Sequence, residues 1–254
     1  MTGREAFFIG WSRELDATLR RFLAPLALLL LIAFPAAGLL LGAAAEDHAG
    51  PGFATVAGTP RALGLPEGGM VEGVVIAGPP YPLLRLPPDA AHPRGRTLLL
   101  SGDGKVGVAW DMPALAGRLV TAEGFLLRRG DIAMLVAGGP PTPLDRPAPP
   151  LPAVEQLGRW RISGEICDGK CAAGGMLPGT GLAHRACATL CLDGDIPAVF
   201  VPTHPVAGEA MLLLAAADGT SPWPAFRTLV ARRITLEGEV ERHGDILLFK
   251  AALP

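Results

Sequence analysis

The chain has 254 residues, half of them hydrophobic, with a net charge of −2. Its 33 glycines and 26 prolines make up nearly a quarter of the sequence, which disfavours long helices outside one segment and favours short strands and turns. Without clustered Lys and Arg there is no electrostatic case for a nucleic-acid partner.

Residues 1–21 form a charged lead carrying Arg4, Arg13, Arg20 and Arg21, read as a short cytoplasmic tail. Its apolar positions (Phe7, Phe8, Ile9, Trp11, Leu15, Leu19) would also suit an interfacial helix. From Phe22 to Ala45 no residue is charged, and about 20 apolar residues span a bilayer core. This stretch is expected to be a transmembrane helix, with Pro25 in its first turn and Pro35 kinking its middle. Glu46 and Asp47 follow, and no Lys or Arg comes before Arg61. The positive-inside rule therefore places the N-terminus in the cytoplasm and the rest outside, which in a bacterium is the periplasm of a single-pass inner-membrane protein. Ala43-Ala44-Ala45 resembles a signal-peptide cleavage site, but the apolar run is longer than an h-region, which favours an uncleaved anchor.

Residues 46–68 read as a tether. Strand-like runs then come at Met70–Ala77, Leu83–Leu86, Arg96–Leu100, Lys105–Val108, Arg118–Leu127 and Ile132–Val136, with Gly130-Asp131 as a hairpin turn. They define a first β domain, 69–137. Residues 138–156, with their run of prolines, predict a semi-rigid polyproline linker. A second β domain, 157–254, repeats the pattern of the first. VTAEGFLLRRGDIAML at 120–135 and ITLEGEVERHGDILLF at 234–249 match at seven of sixteen positions, at an offset of 114. The opening strands VEGVV (71–75) and ISGEI (162–166) pair at an offset of 91, so the second copy holds 114 − 91 = 23 extra residues. The chain thus reads as an internal duplication with an insertion at 167–197 in its second copy. A strand of the form x-x-G-x-V with a final hairpin ending in G-D-I resembles the five-stranded OB-type barrel. That resemblance implies a mainly β fold: one transmembrane helix, then two small OB-like barrels, the second with a Cys-rich helical insertion.

All four cysteines, Cys167, Cys171, Cys187 and Cys191, lie in the insertion with His184. His184, Cys187 and Cys191 fall at i, i+3 and i+7, so a helix over Leu182–Leu192 would put them on one face, ended by Asp193-Gly194. Three chemistries fit. In an oxidising compartment the four cysteines would form two disulfides, pairing 167/171 with 187/191; each loop of about 15–24 residues is worth roughly 3 kcal/mol. Cys171, His184, Cys187 and Cys191, with Cys167, would instead hold Zn²⁺, Cu(I) or an iron–sulfur cluster. A redox-active pair, Cys187 and Cys191, is the third, although C-x3-C departs from the thioredoxin-like C-x2-C. Haem c attachment is excluded, because no C-x-x-C-H occurs.

Gly164-Glu165-Ile166, Asp168, Lys170-Cys171, Pro178-Gly179, His184-Arg185-x-Cys187-Ala188-x-x-Cys191 and Gly194-x-Ile196-Pro197 resemble a segment of bacterial membrane-anchored proteins to which no activity is attached. In those sequences position 167 is usually aliphatic, which implies Cys171, His184, Cys187 and Cys191 as the working group. GGMLPGTG at 174–181 lacks the Lys-Ser/Thr of a P-loop and reads as a flexible loop. His204 and His243 read as solvated turn residues, and Trp223 as a core or interface anchor. The first β domain, whose one histidine is His92, reads as a scaffold or docking element. No Ser-His-Asp, paired-carboxylate or H-E-x-x-H pattern occurs, so the expectation is a non-enzymatic accessory or assembly subunit of a membrane redox or transport complex. Its expected partners are the bilayer and another membrane or periplasmic protein. A metal- or thiol-handling protein and a structural envelope protein with two disulfides are the alternatives.

Overall fold

The structure, a computed structural model, describes residues 17–47, 56–57 and 70–252 apart from positions 79, 91, 131 and 177. Most of the lead, most of the tether and Asp131 of the predicted turn lie outside these residues. Two compact units divide the chain, 1–50 and 51–254.

In the first unit, helix α1 runs Ala17–Asp47 and contains both Pro25 and Pro35. Its window Ala17–Leu41 has a mean hydropathy of 2.4 and buries none of its side chains, so one helix is long and apolar enough to cross a membrane.

The second unit is mainly β. Its strands are β1 (Val56–Ala57), β2 (Met70–Ile76), β3 (Leu83–Leu86), β4 (Arg96–Ser101), β5 (Leu119–Arg129), β6 (Ile132–Ala137), β7 (Thr142–Pro143), β8 (Val154–Asp168), β9 (Ala198–Pro202), β10 (Leu212–Ala216), β11 (Ile234–His243) and β12 (Ile246–Ala251). A short helix α2 (Met112–Leu115) precedes β5, and helix α3 (Arg185–Asp193) lies between β8 and β9. β8 to β12 form a closed barrel in the order β10-β12-β11-β8-β9. The first sheet runs β1-β5-β2-β3-β4-β6, and β5 also bonds to β6. Each sheet has one parallel pairing, β4 with β6 and β10 with β12.

Glycines explain how such short sheets bend. β5 pairs with β2 through Glu123 and with β6 from Gly124 onward. A Cβ on Gly124 would lie 2.1 Å from the Val136 carbonyl oxygen, and one on Gly238 would lie 2.0 Å from that of Lys250. These are the glycines of the repeated E-G pair, and each lets its long strand press against the next.

The predicted strand Lys105–Val108 is not formed. Gly102 and Gly104 precede it and Gly107 interrupts it; Gly104 sits at φ +70, and residues 102–108 form a loop. The expected proline spacer is part of the folded body: β7 bonds to β5, Leu144 N–H donates to the Leu119 carbonyl, and β8 already begins at Val154. The two sheets also share a core, since Tyr81, Leu83, Leu99, Ile132 and Met134 pack in one buried cluster with Phe200, Leu212 and Phe249. A second cluster, including Leu84, Leu98, Leu100 and Leu135, belongs to the first sheet.

Candidate metal centre

The insertion is shorter than expected at its start, because Cys167 and Asp168 are the last residues of β8, paired with Val199 and Ala198. Asp168 is wholly buried and braces two segments at once. Its Oδ1 accepts the Cys171 backbone N–H at 2.9 Å, fixing the wide turn Cys171–Gly175. Its Oδ2 lies 2.9 Å from His184 Nε2. A carboxylate there requires the proton on Nε2, so that in the neutral ring Nδ1 is the nitrogen with the lone pair; Nδ1 is buried and has no partner.

His184 ends a 3-10 turn (Leu182–His184), and α3 starts directly after it. The helix begins three residues later than the spacing predicts, but its inward face is the predicted one: His184, Ala188 and Cys191 are buried and Cys187 is half-buried. Gly194 ends it, donating its N–H to the Leu190 and Cys191 carbonyls.

The sulfurs of Cys171, Cys187 and Cys191 lie within 4.8 Å of one another, with Cys171 and Cys187 at 3.8 Å. His184 is not in that trio but in a second group with Asp168 and Cys167. Cys167 donates its thiol to the Gly179 carbonyl at 2.7 Å, turned to the glycine-rich loop, whose Gly181 N–H in turn donates to Glu165. All four cysteines are free, so the expected pair of disulfides is not made in this structure.

Cations surround the sulfurs. Lys105, from the loop misread as a strand, places Nζ 2.6 Å from Cys187 Sγ and 3.6 Å from Cys191 Sγ. Reciprocally, Lys170 of the insertion donates to the Gly102 and Gly104 carbonyls of that loop, at 2.9 and 2.7 Å. Gly107 N–H donates to the Gly194 carbonyl at 2.5 Å. The hydrogen bond from Lys105 to Cys187 holds its ammonium above the usual lysine range, while burial pushes Lys170 down. A hydrogen bond from Cys171 and the nearby Lys105 draw the Cys191 thiol down against burial; the same bond and burial push Cys171 up. Burial, with Asp168 beside it, pushes the Cys167 thiol well up, away from the thiolate.

Asp168 and Lys105 escaped the sequence reading as site residues. Asp168 was findable: an aspartate three residues before Cys171 has the spacing of a side chain capping a turn. Lys105, 82 positions from Cys187, left no local signal.

The loop meets α3 through glycine. A Cβ on Gly194 would lie 1.8 Å from the Lys105 carbonyl oxygen. Gly194→Ala is expected to cost about 1–3 kcal/mol by overpacking, read as a lowered urea midpoint with the slope unchanged.

Of the two histidines read as solvated turn residues, His204 is exposed beside Thr203, whereas His243 ends β11, half-buried and paired with buried Glu241. Trp223 packs against the shared core with Arg227 stacked over its ring. Compared with known proteins, the chain matches no family model, no curated protein and no solved structure.

Proposed function

We propose that this chain is a membrane-anchored, non-enzymatic accessory protein whose extracytoplasmic body carries a metal centre of three thiolates and one imidazole: Cys171, Cys187, Cys191 and His184. The observation that carries the reading is the gathering of three free sulfurs from two elements, together with buried His184, three residues before Cys187, whose Nε2 is held by a carboxylate and whose Nδ1 has no partner. Metal-binding histidines are oriented in this way. A tetrahedral site with Zn–S bonds of about 2.3 Å has S···S edges of about 3.8 Å, which is the Cys171–Cys187 separation. A closed Cys₃His set suits Zn²⁺, and closing the imidazole onto the trio completes it. Cu(I) or an iron–sulfur cluster would use the thiolates alone.

The body is read as two OB-like units from an internal duplication. The matching glycines and the matching order of pairings (β2-β3-β4-β6-β5 and β8-β9-β10-β12-β11, each with one parallel contact) support this. The arginines before the apolar helix support a cytoplasmic N-terminus and a periplasmic body. An anchor, docking-type β units and one buried centre suit a subunit of a membrane redox or transport complex. Half-buried Cys187 beside Lys105 favours one second reading, a thiol-redox pair.

The test uses the full chain extracted in mild detergent without oxygen, with bound metal and free thiols counted together. One metal per chain, lost in a folded Cys187→Ser variant, and co-migration with other membrane subunits are the expected results. A metal-free chain with reactive thiols would leave the redox reading, and a chain that always migrates alone would remove the accessory role.

A further inference from the structure

The seam between the two sheets holds a second candidate site. A cavity of about 590 Å³ lies between the β3–β4 connection, residues 149–153 and the β11–β12 turn. That volume falls in the range of roughly 300–1,000 Å³ usual for small-molecule sites. Six of its lining residues are prolines, Pro87, Pro88, Pro93, Pro149, Pro150 and Pro152, and Arg85, Arg94, Glu155 and Arg242 stand among them. The prolines are rigid and have no backbone N–H to donate, so they favour an apolar occupant and lose little freedom on binding. Leu151, which lines it, is 45% exposed and lacks an apolar cover.

Adjoining it is a cleft of about 210 Å³ of opposite character, and the two share Pro93 and Arg94. Arg94, Arg96 and Arg128 line the cleft with His92, Glu209 and Asp245. Its carboxylates are already matched: Glu209 by Arg242 at 2.9 Å, and Asp245 by Arg85. His92 Nε2 lies 2.8 Å from an Arg96 nitrogen and accepts from it. Among the described residues Arg94 and Arg128 have no carboxylate partner. In a chain of net charge −2, this leaves a local excess of guanidinium groups at one end of an apolar groove.

We propose that this seam binds an acyl chain headed by a phosphate monoester, with the chain along the prolines and Leu151 and the phosphate on Arg94 and Arg128. Guanidinium forks match phosphate oxygens, and a dianionic head uses a surplus of arginines better than a single carboxylate does. The site is independent of the metal centre.

The test is calorimetric titration of the full chain, held in nanodiscs of a neutral lipid, with octyl phosphate, empty nanodiscs being subtracted. One octyl phosphate per chain is expected. Losing a charge-assisted contact to phosphate in Arg94→Glu should weaken binding about tenfold or more. Leu151→Ser should weaken it severalfold with Arg94 intact. Both side chains are exposed, so neither substitution disturbs the core. Unchanged binding in Arg94→Glu would overturn the proposal. So would inorganic phosphate or octanol binding as tightly as octyl phosphate, the first marking a bare anion site and the second a bare apolar one.

Discussion

Replacing Asp245 with Ala is expected to lower the stability of the β body by about 3–5 kcal/mol, the cost of leaving a buried charge without its partner. Asp245 stands at the β11–β12 turn of the barrel but spends its carboxylate on the first sheet. Its Oδ1 receives Arg85 and the Thr97 hydroxyl, the latter at 2.6 Å, and its Oδ2 receives the Thr97 backbone N–H at 2.9 Å. The Arg85 side chain is 7% exposed and that of Asp245 18%, so water replaces the lost partner poorly. Arg85 also donates to the Thr97 hydroxyl at 2.7 Å and to the Arg94 carbonyl, so its fork cannot swing out without losing these bonds. Thermal or urea unfolding of the full chain, followed by tryptophan fluorescence, measures the loss. Asp245→Asn also removes the charge but keeps an acceptor for the Thr97 backbone N–H, and should cost less by roughly the 1–3 kcal/mol of leaving that donor unsatisfied. Equal losses in the two variants would mean that the charge, which both remove, carries the whole effect and the acceptor kept by Asn carries none.

The network shows why the joining of the two sheets could not be read from sequence. Asp245 belongs to the repeated G-D-I, and the repeat gives it a hairpin role in both copies. Nothing local reports that this copy reaches 148 positions back to Thr97. The apolar helix was legible because a charge-free run of such length is long and apolar enough to cross a bilayer. The β5–β6 and β11–β12 hairpins were legible because turn glycines flank strongly apolar runs. Lys105–Val108 misled because Val106 and Val108 alternate like a strand, while the flanking glycines and the meeting with Gly194 decide otherwise. β9 and β10 were missed since Val199, Phe200, Leu212, Leu213 and Leu214 are buried in a shared core and show no alternation.

At the site the same division holds. Helical spacing placed His184, Cys187 and Cys191 on one face, because that geometry is local. That Cys171 joins Cys187 and Cys191 while Cys167 turns away is decided by where β8 stops, and sequence spacing carries no trace of it. One carboxylate makes the difference. Asp168 holds the turn bearing Cys171 with one oxygen and the ring of His184 with the other.

Asp168→Asn therefore separates positioning from mere shape. The amide is the same size, and its oxygen can still accept the Cys171 N–H. Its NH₂ group then faces His184 Nε2 and can donate only if that nitrogen carries no proton. The ring must move its proton to Nδ1, the nitrogen proposed to reach the metal, and so blocks it. Metal affinity is expected to fall about 10–100-fold, the usual cost of losing a ligand's supporting partner, while the metal-free protein unfolds close to wild type. Chelator competition measures the first and urea denaturation the second. Asp168→Ala should behave differently, destabilising the metal-free protein as well, because both bonds from the carboxylate are lost and the Cys171 N–H is left buried without an acceptor. His184→Ala should weaken metal binding at least as much as Asp168→Asn. If both His184→Ala and Asp168→Asn bind metal as the wild type does, the three thiolates suffice, and the buried Asp168–His184 pair is a structural brace beneath them.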